Sequence, residues 1–471
     1  MKITLIGLGV SRDDLTQGAR RALENCDKVI VRTERCAGFE NLKDFAPTTL
    51  DCVYEKSRNF DTLNKKLAAC VTDAAKDGSV CYCVDGSVSE DESCKIILKK
   101  LKGCEIFDSV SKSAYACNLT GITCGELTRV SAYGVESLKS CRAACVFDID
   151  CEYIAGLVKE KLSDIFGEES DCFFVRGGRV SRIKIYEIDR QKDYDGTCAV
   201  TVQERDFLKR ERYDYSDLEQ MIRLLRKPDG CPWDRVQTSA TIRKNMIEEA
   251  YELVDAIERD DADGVEEETG DVLMQAAFHS VLSEEKGEFT GTDAITRVIK
   301  KLIFRHSHVF GKDGAKDDKD ALSVWEKNKK TEKGQETVSD TVLAVPKNMP
   351  ACMRAQKVGK RSAKSGMDFL SPVSAAEKLG EEIGELLDAC VRQDGGAIAE
   401  EAGDVLFSAV NVCRLAGVDC EEVLQGATDK FIKRFVEFER LANESGERVE
   451  DMDDSRKDYY WMLAKDAVKR S

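Results

Sequence analysis

Short apolar runs separated by turn residues fill the first two hundred positions of the chain. Runs at 3–8, 28–32, 79–84, 144–149, 172–175 and 184–188 read as strands. Amphipathic patterns between them predict helices at 15–25, 60–76, 90–101 and 151–166. This alternation predicts an α/β domain over residues 1–205, built on a substantially parallel sheet. A charged stretch at 204–212 leads out of it, and from Ser216 onward long amphipathic helices replace the β-branched runs. Lys227-Pro228-Asp229-Gly230-Cys231-Pro232-Trp233-Asp234 reads as a rigid loop before the next helix. A second seam, rich in Lys, Glu, Gly and Gln, lies near 330–340. The chain therefore reads as multidomain: the α/β domain, then two all-α helical-bundle domains at 215–335 and 340–471.

Charge narrows the partners. The 88 acidic and 71 basic residues among 471 leave a formal net charge of −17, which disfavours binding to nucleic acid or a membrane surface by bulk electrostatics. The first residues read as a strand rather than a signal peptide, and no apolar run reaches the length of a membrane span. A soluble, cytoplasmic protein is expected. The 20 cysteines are scattered and never stand in Cys-x-x-Cys spacing, so they read as small apolar residues in a reducing compartment.

One acidic phrase is written twice. Glu248-Glu249-Ala250-Tyr251-Glu252 returns as Glu381-Glu382-Ile383-Gly384-Glu385, and Glu268-Thr269-Gly270-Asp271 returns as Glu401-Ala402-Gly403-Asp404. All four acidic pairs (249/382, 252/385, 268/401, 271/404) are offset by 133 positions. On a helix, i and i+3 carboxylates project from one face, and two such helices packed antiparallel would gather four of them. Four close carboxylates repel, so the cluster needs a cation; hard oxygen ligands favour Mg²⁺, with Mn²⁺ as the alternative. His279, His306 and His308 fall only in the first copy and outside any Glu-x-x-His pair, which disfavours a di-iron bundle.

Cations repeat as well. Lys301-x-x-x-Arg305 corresponds to Lys430-x-x-x-Arg434, and Trp325-x-x-x-Lys329 to Trp461-x-x-x-Lys465. Lysine and arginine near carboxylate-bound Mg²⁺ suit a polyphosphate, with water attacking a phosphorus centre and Glu381 orienting that water. The tryptophans suit core packing as well as contact with a base.

These residues resemble the tandem-repeat MazG nucleoside triphosphate pyrophosphohydrolases. The resemblance covers 215–471. It rests on Gly230-Cys231-Pro232-Trp233-Asp234 with Gln237-Thr238, on both acidic sets, on Arg305-His306-x-His308-Val309-Phe310, and on Pro350-Ala351-x-Met353-Arg354-Ala355-Gln356-Lys357. It implies an all-α, usually homodimeric enzyme that converts nucleoside triphosphates to the monophosphate and pyrophosphate with Mg²⁺. It also implies that the C-terminal copy carries the main activity. The implied metal ligands are Glu382, Glu385, Glu401 and Asp404; Lys430, Arg434, Trp461 and Lys465 would face the nucleotide, with Lys357 and Arg361 as weaker candidates. The first copy keeps Glu249, Glu252, Glu268 and Asp271 with Lys301, Arg305, Trp325 and Lys329, so nothing in its sequence marks it as inactive.

The first domain is similar in layout to the tetrapyrrole (corrin/porphyrin) methylases, through Leu5-Ile6-Gly7-Leu8-Gly9, Leu15-Thr16, Ala22-Leu23, residues 26–30 and the strand-loop 80–89. That resemblance implies S-adenosylmethionine as a cofactor near Gly7, Gly9 and Gly86. The loop Val84-Asp85-Gly86-Ser87-Val88-Ser89-Glu90-Asp91 lacks the family's proline and adds negative charge, and the first glycine loop is shortened. Two competing functions stay open on sequence: a methyltransferase that uses the helical repeats to dimerise, and a nucleotide-binding interaction protein without catalysis.

Overall fold

The computed structural model describes residues 2–57, 59–122 and 125–470. The chain divides into two compact units, Met1–Gly291 and Thr292–Ser471, so the division falls after the first acidic helices.

The first unit opens with two five-stranded sheets. Strands β1 (Ile3–Gly7), β2 (Lys28–Val31), β3 (Thr48–Thr49), β4 (Val80–Val84) and β5 (Glu105–Phe107) form an all-parallel sheet ordered β3-β2-β4-β1-β5. Its central strands β1 and β4 are buried at every position, as a sheet covered on both faces requires. One face packs Leu5, Leu67, Tyr82 and Ile97, and the other Ile6, Leu8, Val31 and Leu42.

Strands β6 (Leu127–Ser131), β7 (Ala143–Phe147), β8 (Asp171–Arg176), β9 (Arg179–Lys184) and β10 (Ala199–Val202) form the second sheet, ordered β6-β7-β10-β8-β9. Only β6 and β7 pair parallel; the remaining pairs are antiparallel. The parallel expectation therefore holds for half of the domain. The strand expected at 184–188 is displaced. Gly177 and Gly178, at φ +50° and +80°, supply the left-handed turn that folds β9 back on β8. The chain then enters a 3-10 helix, Ile185–Arg190, whose three-residue period buries Ile185 and Ile188 together.

Helices follow. In the first unit Asn245–Glu258 and Ala262–Glu285 form an antiparallel hairpin, the second helix capped by Asp261 on the Gly264 amide at 3.1 Å. In the second unit Pro372–Arg392 starts behind the Ser371 capping box with proline in its first turn. Gln393 ends it in a left-handed conformation, and Asp394 caps Gly395–Ala416 on the Gly396 and Ala397 amides. A connection this short forces the two helices to lie side by side, antiparallel. Cys420–Glu444 and Asp454–Arg470 form a further hairpin around Phe438, Ala442, Met452, Tyr460 and Ala464. No described helix is long and apolar enough to cross a membrane.

Candidate functional site: two acidic clusters and their cations

Each acidic hairpin brings its carboxylates together. In the first unit, Glu249, Glu268 and Asp271 present oxygens that all lie within 4.8 Å of one another. In the second, Glu382, Glu385 and Glu401 do the same. Glu252 and Asp404 lie outside these triplets but within charge reach: Glu252 raises the pKa of Glu268 on the facing helix, and Asp404 raises that of Glu401 on its own helix. Burial is the first cause of the upward shift in Glu249, Glu268 and Glu401, and the neighbouring carboxylates add to it. Oxygen Oε2 of Glu268 is buried without a hydrogen-bond partner. A crowded, partly desolvated set of anions with an unfilled lone pair is the chemistry a hard divalent cation satisfies, so the residues fit Mg²⁺.

The neighbours of the two clusters differ. Gln275 donates to Glu249 Oε1 at 3.2 Å in the first copy. In the second, Lys378 sits at 3.0 Å from Glu382 Oε1 and 3.1 Å from Glu381 Oε2. Both carboxylates raise the pKa of Lys378, which stays charged. The position 133 residues earlier is Asn245, so this cation belongs to the second copy alone. Sequence reasoning passed over Lys378, although its i, i+4 spacing to Glu382 was the available signal.

The basic elements differ more sharply. In the first copy Arg305 is buried and donates through Nε to Glu332 at 2.7 Å. Its guanidinium lies 5.2 Å from the Trp325 ring centroid, and Lys329 Nζ lies 4.6 Å from the same ring. Burial lowers the pKa of Lys329, and Lys333, Arg305, Arg361 and Lys357 lower it further. Lys357 and Arg361, the weaker candidates for facing the nucleotide, stand within charge reach of the first copy's Trp325–Lys329 helix. Arg361 donates to the Thr341 carbonyl.

In the second copy Arg434 is half-buried and its Nε has no partner. Trp461 packs against Phe431 at 5.4 Å and Phe438 at 6.0 Å, which joins the Lys430–Arg434 helix to the helix carrying Lys465. Trp461 is thus a partly buried core anchor. The counterpart of Glu332, seven residues beyond the tryptophan, is Val468. Among the described residues no ion pair joins Lys430, Arg434 or Lys465 to Glu382, Glu385, Glu401 or Asp404.

The three glycines of the first domain also meet. Gly9 and Gly86 exchange two backbone hydrogen bonds of 3.0 Å at the ends of β1 and β4. A Cβ on Gly7 would stand 2.7 Å from the Gly86 carbonyl, so this residue has to be glycine for packing reasons alone.

The MazG nucleotide pyrophosphohydrolase domain matches residues 237–310 and 370–436, once over each acidic hairpin. The chain is 38% identical over 251 residues to the nucleoside triphosphate pyrophosphohydrolase/pyrophosphatase MazG of Thermotoga maritima, covering 53% of this chain and 95% of that protein. Over its whole length it is 31% identical to the uncharacterized protein YabN of Bacillus subtilis, covering 99% of that protein. Among solved structures, a precorrin-6Y methylase from Archaeoglobus fulgidus aligns at a TM-score of 0.33 and 14% identity, over 44% of this chain and 99% of that one.

Proposed function

Because the chain belongs to the MazG family of nucleotide pyrophosphohydrolases, we infer that it hydrolyses nucleoside triphosphates to the monophosphate and pyrophosphate, chiefly with its C-terminal copy. The observation that carries the choice of copy is Arg434, whose buried Nε lacks the partner that Glu332 gives Arg305. A desolvated guanidinium N–H without an acceptor favours an incoming phosphate oxygen. Glu382, Glu385, Glu401 and Asp404 hold Mg²⁺ in this reading, Mn²⁺ being the alternative. The bound ion supplies Lewis-acid neutralisation of phosphate charge. Lys430, Arg434 and Lys465 bind the phosphate oxygens, and Lys378 adds a cation at the edge of the acidic cluster. Water forms the new bond to the α-phosphorus, Glu381 takes its proton, and the bond to the bridging oxygen breaks to release pyrophosphate.

The active form in this reading is a homodimer. Ile383, Leu387 and Val391 recur every four residues along one helix and are 43%, 61% and 83% exposed; Leu406 and Phe407 on the facing helix are exposed as well. Apolar exposure of this kind suits burial against a second copy of the chain. The purified protein incubated with the eight common NTPs and dNTPs and Mg²⁺ is expected to release pyrophosphate from at least one. No pyrophosphate from any would leave a binding protein without catalysis.

A further inference from the structure

In an open parallel sheet a ligand binds beyond the carboxyl ends of the strands, where the strand order reverses. In the order β3-β2-β4-β1-β5 that point lies between β4 and β1, at Gly86 and Gly9. S-adenosylmethionine offers a carboxylate, an ammonium, a ribose and an adenine, and a site for it needs free backbone donors and open volume.

The donors at this edge are already used by the chain's own carboxylates. Asp14 Oδ2 accepts from the Val10 and Ser11 amides at 2.9 and 2.8 Å. Asp108 Oδ1 accepts from the Val88 and Ser109 amides at 2.8 and 2.9 Å, and Oδ2 from the Ser87 hydroxyl at 2.8 Å. Glu90 accepts from the Lys112 and Ser113 amides, at 2.8 and 3.1 Å, the first turn of the helix Lys112–Thr120. Volume is taken as well. Lys112 lies against Gly86, where an added Cβ would stand 3.0 Å from Lys112 Cγ. Its ammonium sits 2.5 Å from Asp85, at the end of β4, and 2.7 Å from Asp148, just past β7. Asp148 also accepts from the Ser131 hydroxyl at 3.0 Å. Beside it Phe60 stacks on Tyr133 at 4.1 Å, a second link from the first sheet's layer to the second.

We propose that this cleft takes no S-adenosylmethionine, and that the Asp85–Lys112–Asp148 triad instead latches the two sheets of the N-terminal domain together. The residues present do not fit the cofactor. A ligand carboxylate would have to displace Asp14, Asp108 or Glu90 from amides they already satisfy, in a region carrying several fixed negative charges. The added negative charge and missing proline in the loop after β4 are then the sequence form of a site turned into a clasp.

Titration calorimetry of the full chain with S-adenosylmethionine, and separately with S-adenosylhomocysteine, up to ~1 mM is the test. No saturable heat and no ligand-dependent rise in Tm are expected; a saturable heat, or a Tm that climbs with ligand, overturns the proposal. Lys112→Met is expected to lower the Tm of the first domain by several degrees and Lys112→Arg by less; an unchanged Tm in Lys112→Met overturns the latch. Hydrogen exchange on the wild-type chain needs no variant. The Val10, Ser11, Val88 and Ser109 amides should be protected without ligand and unchanged by it, whereas protection gained only on adding S-adenosylmethionine overturns the proposal.

Discussion

The two acidic hairpins share their carboxylates and differ in what surrounds the repeated cations. The first copy pairs its arginine internally: Glu332 neutralises Arg305, the Trp325 ring carries Arg305 and Lys329 on its surface, and Gln275 donates to Glu249. The second copy keeps an unpartnered Nε at Arg434, carries Val468 at the position that corresponds to Glu332, and adds Lys378 beside Glu382. Duplicated carboxylate sets are thus compatible with divergent roles. A phosphate site depends on which cations have no internal partner, and a list of charged residues does not record that.

Among the cations, removing the distinguishing guanidinium gives the largest expected effect. Arg434→Ala should lower kcat/KM for pyrophosphate release by about 10²–10³-fold, as loss of a charge-stabilising donor does, while Arg305→Ala changes it by less than about 3-fold. Equal losses in the two variants would erase the distinction between the copies. Transplanting the quench comes next. Val468→Glu puts a carboxylate where Glu332 stands in the first copy, and kcat/KM should fall about 10-fold, mainly through KM. Lys378→Met tests the added cation, with an expected rise in KM of several-fold at unchanged fold and Tm.

The smallest effect is thermal and pH-dependent. Glu249, Glu268 and Glu401 carry raised pKa values, so their protonated forms stabilise the metal-free fold below the ordinary value of 4.5. That contribution is lost as pH rises through the shifted values, and Mg²⁺ then offsets the repulsion. The rise in Tm on adding Mg²⁺ should therefore be a few degrees near pH 7.5 and shrink toward pH 5, where protons compete for the same oxygens. Glu401→Gln should raise the metal-free Tm and remove part of the Mg²⁺ response. A Mg²⁺ response that grows with acidity would contradict the ligand assignment.

Much of this was legible along the chain. The register of the acidic pairs was readable because helix spacing fixes which carboxylates share a face, and the short loop at Gln393-Asp394 does the rest. The parallel sheet was readable from the buried runs at β1 and β4. Short or edge strands such as β5 and β9 were not, because three residues or an alternating charged run leave too little apolar signal. The difference between the copies was also hidden. Glu332 and Val468 gain meaning only once the tryptophan is seen beside the arginine helix, and the charge of Lys357 and Arg361 is felt at Lys329 through a tertiary arrangement that no local period encodes. The glycines of the first domain were visible, but their reason, close approach of Gly7 to Gly86, required the fold.

Pyrophosphate release from the preferred triphosphate with Mg²⁺, measured side by side for Glu382→Gln and Glu249→Gln, tests the division of labour most directly. Assigning catalysis to the C-terminal copy predicts that Glu382→Gln abolishes turnover and Glu249→Gln leaves most of it. Full activity in Glu382→Gln together with loss in Glu249→Gln would contradict the assignment and move the catalytic site to the first copy.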